Sequence, residues 1–176
     1  YRIMQKYIFQ PYSKRFQQLF KREKGKLKKL LTSNTKIGHI GSTAVPGLGG
    51  KGIIDIIISC KNKEIKITRN ILERGGYEFK PKAGDRQRLF FQKDYKYRNS
   101  IRRVHLHLTP PDSLVWKRCT ALSAYLKRHP KETKEYAKIK REGAKIARGE
   151  GKIYRDYKNN FLDRLTKKAL KEFLEE

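Results

Sequence analysis

The sequence predicts an α+β protein: a mixed β-sheet flanked by helices and followed by a carboxy-terminal helical extension. Three observations carry that reading. "GIIDIIIS" at 52–59 is apolar on both faces at the period of a strand, which places it centrally in a sheet. "YEFK", "RLFFQKDY" and "IRRVHLHLT" are strand-like runs separated by turn residues, and they predict an antiparallel or mixed section of that sheet. From Pro110 onward the texture changes to amphipathic helix. The 176 residues suit one domain able to bury a core, divided as 1–109 for a first helix and α/β core and 110–176 for the helical extension.

The elements follow in order. "PYSKRFQQLFKREKGKLKKLL" opens with Pro11 and a Ser13 cap and sets Phe16, Leu19, Phe20, Leu27, Leu30 and Leu31 at helical spacing, with Gly25 weakening the middle. A short strand over 36–40 leads through a glycine-rich loop into the apolar strand. "EIKITRNILERGG" reads as a helix ended by glycine. After the three strand-like runs, Asp112 and Ser113 are candidate caps for a helix with a stripe of Val115, Cys119, Leu122, Tyr125 and Leu126. "PKETKEYAKIKREGAKIA" begins with Pro130 in its first turn. The last helix places Tyr154, Tyr157, Phe161, Leu165, Ala169 and Phe173 on one side.

With 37% hydrophobic and 35% charged residues, the chain combines recurrent apolar spacing with a heavily charged surface, which excludes a disordered chain. Forty-four Lys and Arg stand against 17 Asp and Glu, a formal net charge of +27. That imbalance favours an anionic partner such as a nucleotide triphosphate or RNA, or reflects a general drift of surface positions to lysine. Cys60 and Cys119 fit neither a metal knuckle nor a disulfide framework and read as reduced, buried thiols of a cytoplasmic protein. No run approaches the ~20 apolar residues of a membrane span, and the amino end lacks the apolar core of a signal peptide.

The chemistry concentrates in "HIGSTAVPGLGGKGIIDIIISC". Asp55 shares a strand face with Ile53 and Ile57, and an unpaired carboxylate there would cost several kcal/mol, so it is paired, metal-bound or at an open strand end. Before it, the loop carries glycines at 41, 47, 49, 50 and 52 and the Ser42 hydroxyl, a pattern able to wrap an oxyanion with backbone amides. It is neither a Walker loop nor a dinucleotide fingerprint. His105 and His107 stand two apart on one strand face and read as a phosphate contact, a hydrogen-bonded pair or, with Asp55, a metal site. His39 is a candidate accessory residue. Between Lys80 and Arg103, cations alternate with Phe and Tyr, so Arg86, Arg88, Arg102 and Arg103 are candidates for phosphate, and the aromatic rings either stack on a base or pack inward.

Those motifs resemble the GrpB family, a group in the nucleotidyltransferase superfamily of the DNA polymerase beta type. The resemblance runs from "PYSKRFQQLFKREKGKL" through "HIGSTAVPGLGGKGIIDIII", "RLFF" and "HLHL" to "YLKRHPKETKEYAKIKRE" and "YRDYKNNFLDRLTKKAL". It implies a nucleotidyltransferase-like sheet in which a Gly-Ser pair, here Gly41 and Ser42, grips a triphosphate. It also implies a strand with two carboxylates two apart that bind two magnesium ions. Asp55 matches the first, but position 57 is isoleucine, and His105 and His107 occupy the strand where a third carboxylate is expected. The resemblance therefore implies a divalent ion, Mg or Mn in preference to Zn, held by Asp55, His105 and His107. Gly41, Ser42, Lys51 and Arg88 would bind nucleotide phosphates and Asp55 would serve transfer to an unknown acceptor. The alternatives are a non-catalytic nucleotide- or RNA-binding protein of the same fold and a metal-dependent phosphoester hydrolase.

Overall fold

A computed structural model of the chain describes residues 9–175. Its strands are β1 (Lys36–Ile40), β2 (Ile54–Ser59), β3 (Glu78–Phe79), β4 (Leu89–Tyr97) and β5 (Ser100–Thr109). Its helices are α1 (Arg15–Leu30), α2 (Ile65–Arg74), α3 (Leu114–Arg128), α4 (Pro130–Ala147) and α5 (Gly151–Glu175). The strands form one mixed sheet in the order β1-β2-β5-β4-β3. Only the β2–β5 pairing is parallel; β1–β2, β4–β5 and β3–β4 are antiparallel. The run "IDIIIS" thus sits between two neighbours, as its two apolar faces require.

Alternation along β2 assigns the two faces. Ile54, Ile56 and Ile58 pack with Leu106 and Leu108 of β5, Phe91 of β4, Phe16, Leu19 and Leu27 of α1 and Leu72 of α2. On the other side α3, α4 and α5 cover the sheet. Their core joins Ala121, Tyr125, Leu126, Tyr136, Phe161 and Leu165 to Val45 and Leu48 of the loop after β1. The carboxy-terminal helices are therefore a third layer that shares its core with the glycine loop. Ile57 is fully buried on this face, and a Cβ added to Gly38 of β1 would stand 3.3 Å from its Cγ2.

Local signals set the helix ends. Ser113 Oγ accepts from the Trp116 amide at 3.1 Å, while Asp112, the other candidate cap, is the preceding turn residue at φ 56°. Gly25 does not interrupt α1, which runs unbroken through it. On the inner face of α1, the buried Glu23 accepts from the hydroxyl of Tyr77 and pairs with Lys26 at 3.1 Å. Three expected core positions stay at the surface: Leu30, Tyr157 and Phe173 are 41%, 40% and 42% exposed. Leu31 takes the buried place at the end of α1. Tyr157 lies over Gly143 and donates to Glu142 at 3.2 Å, and Phe173 follows Ala169, the last buried residue of α5.

Because Ile57 fills its space, Ile57→Val is expected to lower stability by about 1 kcal/mol. Ile57→Asp, which restores a second carboxylate two residues from Asp55, is expected to lower it by roughly 3–5 kcal/mol through an uncompensated buried charge. Urea denaturation of the two variants checks the order.

Candidate functional site

The loop after β1 is built around Asp55. Gly41 has φ 72°, and a Cβ there would stand 2.6 Å from Asp55 Oδ2, so only glycine lets the loop start against that carboxylate. Farther along, a Cβ on Gly50 would stand 2.5 Å from Ser42 Oγ and 2.7 Å from Lys140 Nζ. The bare backbone of Gly50 therefore lets a hydroxyl from the loop and an ammonium from α4 meet at one place.

Parallel pairing sets Asp55 beside His105 and Ile57 beside His107. His105 Nδ1 is 3.3 Å from Asp55 Oδ1, and His107 Nε2 makes a longer 3.7 Å approach to the same oxygen. Phe90 of β4 meets both imidazoles edge-on, at ring separations of 4.8 and 5.1 Å. Arg88 donates from Nη1 to His107 Nδ1 at 3.3 Å and from Nη2 to the Ala83 carbonyl at 3.1 Å. A guanidinium only donates, so His107 accepts at Nδ1 and its Nε2 hydrogen faces Asp55. Burial alone would raise the Asp55 carboxyl; the hydrogen bond from His105, seconded by His107, outweighs it and holds the group well below the usual carboxylate range.

The expected metal set lies together in this geometry as hydrogen-bonded side chains. Asp55, His105 and His107 do converge, but both imidazoles turn a nitrogen to one carboxylate oxygen, and the remaining lone pair of His107 is taken by Arg88. Magnesium and manganese favour oxygen donors, of which this set supplies one carboxylate. Zinc needs imidazole lone pairs directed at the ion. Among the described residues no three His, Cys, Asp or Glu side chains are placed to hold a metal ion. The trio is a hydrogen-bonded cluster.

Above it lies a cleft of about 460 Å³ between the sheet and the three carboxy-terminal helices, lined by Gly41, Ser42, Lys51, Asp55, Arg88, His105 and His107. Sequence reasoning missed the residues opposite. Lys140 of α4 and Arg155 and Lys158 of α5 also line it, bringing its cations to five against the one carboxylate of Asp55. Lys140 is buried at 5% exposure and donates to the Gly49 carbonyl at 2.7 Å. Burial, and secondly the charge of Lys158, lower its ammonium to about 7. Lys51 and Lys158 are lowered as well, in both cases chiefly by burial. Much of the rest of the wall is apolar, with Val45, Leu48, Leu122, Leu126 and Leu162. A signal for these lysines was present: Lys140 falls in phase with the buried Tyr136, Ala137, Gly143 and Ala147, where a cation is out of place.

Other candidates lie elsewhere. His39 is on the opposite sheet face, stacked on Phe20 at 4.3 Å with Nε2 3.0 Å from Thr43 Oγ1. Thr43 passes its own proton to the Ile53 carbonyl at 3.0 Å, so His39 braces the loop from behind. Burial, reinforced by the charge of Lys127, lowers its imidazole to about 4. Arg103 is engaged by Asp94 through two 2.8 Å bonds. Of the aromatic residues in this stretch, Phe91 is fully buried and Phe79 packs against it. Cys60 is buried as expected, whereas Cys119 is half-buried and lines the cleft.

Comparison with known proteins decides the family, because the pattern described as GrpB protein matches residues 7–168. The chain belongs to the GrpB family. The crystal structure of GrpB from Enterococcus faecalis covers 95% of this chain and 99% of its own at 27% identity, with a TM-score of 0.82. All three layers therefore belong to the shared GrpB fold. UPF0157 protein YqkA of Bacillus subtilis (strain 168) is 30% identical over 133 residues, which are 74% of this chain and 38% of YqkA. The chain thus spans well under half of that relative's length. The Cid1 poly(U) polymerase, in a crystal structure with MgGTP bound, matches 77% of this GrpB chain and 44% of its own at 14% identity with a TM-score of 0.52. That likeness shows a nucleotidyltransferase-like fold.

Gly41→Ala is expected to destabilise this GrpB chain by about 1–3 kcal/mol through strain and the contact with Asp55, measurable as a drop in urea midpoint. His39 adds a pH dependence. Its folded pKa of about 4 lies below the ordinary 6.5, so the unfolded chain binds the proton first. Its contribution is therefore complete above pH 6.5 and is lost as pH falls toward 4. His39→Gln is expected to flatten that part of the stability–pH curve.

Proposed function

We propose that the cleft binds the phosphate chain of a nucleoside triphosphate and presents it for nucleotidyl transfer to a hydroxyl acceptor. The observation that carries this reading is the meeting of Ser42, five cations and the Asp55–His105–His107 cluster in one cleft of a nucleotidyltransferase-like fold. Ser42 Oγ and the amides of the turn it begins donate to phosphate oxygens, and Lys51, Lys140 and Lys158 neutralise them. Arg88, fixed by the Ala83 carbonyl, orients His107. The apolar wall takes the organic end of the nucleotide.

Asp55 does not bind phosphate, since its charge repels it. Held ionised by the histidines, it accepts a hydrogen bond from the acceptor hydroxyl. The acceptor oxygen bonds the α-phosphorus as the bond to pyrophosphate breaks, and the hydroxyl proton passes to water. Positioning and charge stabilisation supply the catalysis. The net charge of +27 supports a polyanionic acceptor such as an RNA end, steered to the cleft by the surrounding field.

A thermal-shift series with ATP, GTP, CTP and UTP on the wild-type chain and Asp55→Asn tests this reading, alongside transfer of labelled nucleotide to RNA. A nucleotide is expected to raise the melting temperature of both by mass action, with Asp55→Asn shifted at least as far and its transfer reduced by about two orders of magnitude or more. Transfer unchanged in Asp55→Asn, or no stabilisation by any nucleotide, would contradict it.

A further inference from the structure

We propose that Ser123 of α3 reads the base of the bound nucleotide. The cleft then prefers a base with a carbonyl oxygen at the position read, uracil or guanine, over one with an amino group there, adenine or cytosine. The inference rests on the reading of the cleft as a nucleoside triphosphate site and adds which base that site takes.

Ser123 is 7% exposed, stands in the middle of α3 and lines the cleft. A hydroxyl inside a helix commonly bonds back to the carbonyl four residues earlier. Thr120 does so to Trp116 and Thr166 to Leu162, each at 2.8 Å. Ser123 does not: among the described residues its hydroxyl has no hydrogen-bond partner. A polar group so deeply buried and left unpaired is costly, so its position on the cleft wall points to a group on the ligand that completes it.

The neighbours of Ser123 suit the uncharged end of a nucleotide. Cys119 is one turn earlier on α3, Leu122 and Leu126 stand beside Ser123, and all four line the cleft. Leu122 and Leu126 pack with Val45 and Leu48 of the glycine loop. Among the described residues that line the cleft, α3 contributes no cation; Lys51 comes from the loop, Lys140 from α4, and Arg155 and Lys158 from α5. The side of the cleft made by α3 therefore fits a ring, with the phosphates turned to the loop and the other two helices. Of its four lining residues, Ser123 alone has a side-chain oxygen.

Hydrogen-bond chemistry then chooses between bases. The described lining includes no Asn or Gln, and its one carboxylate, Asp55, lies on the sheet and is approached by His105 and His107. Ser123, off the carbonyl of Cys119, can accept from an amino group only by leaving its own proton unbonded, whereas donation to a carbonyl oxygen uses that proton. Uracil and guanine offer a carbonyl oxygen where cytosine and adenine offer an amino group.

Isothermal titration calorimetry of the full chain with UTP, GTP, CTP and ATP tests the proposal, on wild type and on Ser123→Ala, a substitution a helix accepts. UTP and GTP are expected to bind roughly tenfold more tightly than CTP and ATP, and Ser123→Ala to bring the four within about twofold. Maleimide labelling reports where the base lies. Cys60 is buried and Cys119 is half-buried in the cleft, so Cys119 is the thiol expected to react. Saturating UTP is expected to slow that labelling about tenfold or more by occupancy, and tripolyphosphate to change it little. Equal binding of the four nucleotides, tighter binding of ATP, or a preference that survives Ser123→Ala would overturn the inference and leave the nucleotide reading standing. Cys119 labelled at its free rate with UTP bound, or shielded equally by tripolyphosphate, would do the same. No binding of any nucleotide would overturn both.

Discussion

The parallel pairing of β2 with β5 is the constraint on which the site depends. It sets Asp55 beside His105 and Ile57 beside His107 in one register. A slip of one residue would turn Asp55 into the core formed with α1 and α2 and expose an isoleucine to the cleft. The apolar residues of β2 and β5 on that far face therefore hold the cleft face in register. Around this ladder the loop glycines and the histidines adapt: Gly41 leaves room for the carboxylate, and His105 and His107 keep it charged.

The second constraint is electrostatic. One layer of the molecule supplies the carboxylate and its hydrogen-bond donors, and another supplies the buried Lys140 and the half-buried Lys158, with the glycine loop packed between them. Because Val45 and Leu48 belong to the same core as Tyr125, Tyr136 and Phe161, the docking of α3–α5 and the shape of the loop are one packing problem. Lys140 makes this explicit, since its ammonium is bonded to the loop at Gly49 and borders Gly50. The helices are therefore part of the cleft as well as its cover.

Much of the fold was legible in the sequence, for definite physical reasons. The strand over 36–40, the apolar run at 52–59, the glycine stop after α2 and the span 130–147 all carry strong local signals, and each forms, the apolar run as a strand from Ile54 to Ser59. Gly41, Ser42, Lys51, Asp55, Arg88, His105 and His107 were named from sequence and share the cleft. Hydrogen-bond geometry was not legible: alternation puts two histidines on one face but does not say that Arg88 consumes a lone pair of His107. Nor was His39, whose position one residue before Ile40 turns it away from Asp55. The lysines of α4 and α5 were hidden by abundance, since in a chain with 44 Lys and Arg a lysine in phase with an apolar stripe looks like surface.

The central claim is that one cleft, built from the glycine loop and the carboxy-terminal helices, receives a phosphate chain. A crystal structure of the full chain grown with a non-hydrolysable ATP analogue tests it directly. The account predicts phosphate oxygens within hydrogen-bond distance of Ser42 Oγ, Lys140 Nζ and Lys158 Nζ, with Asp55 facing away from them. An analogue bound elsewhere on the basic surface, with the cleft empty, would contradict it.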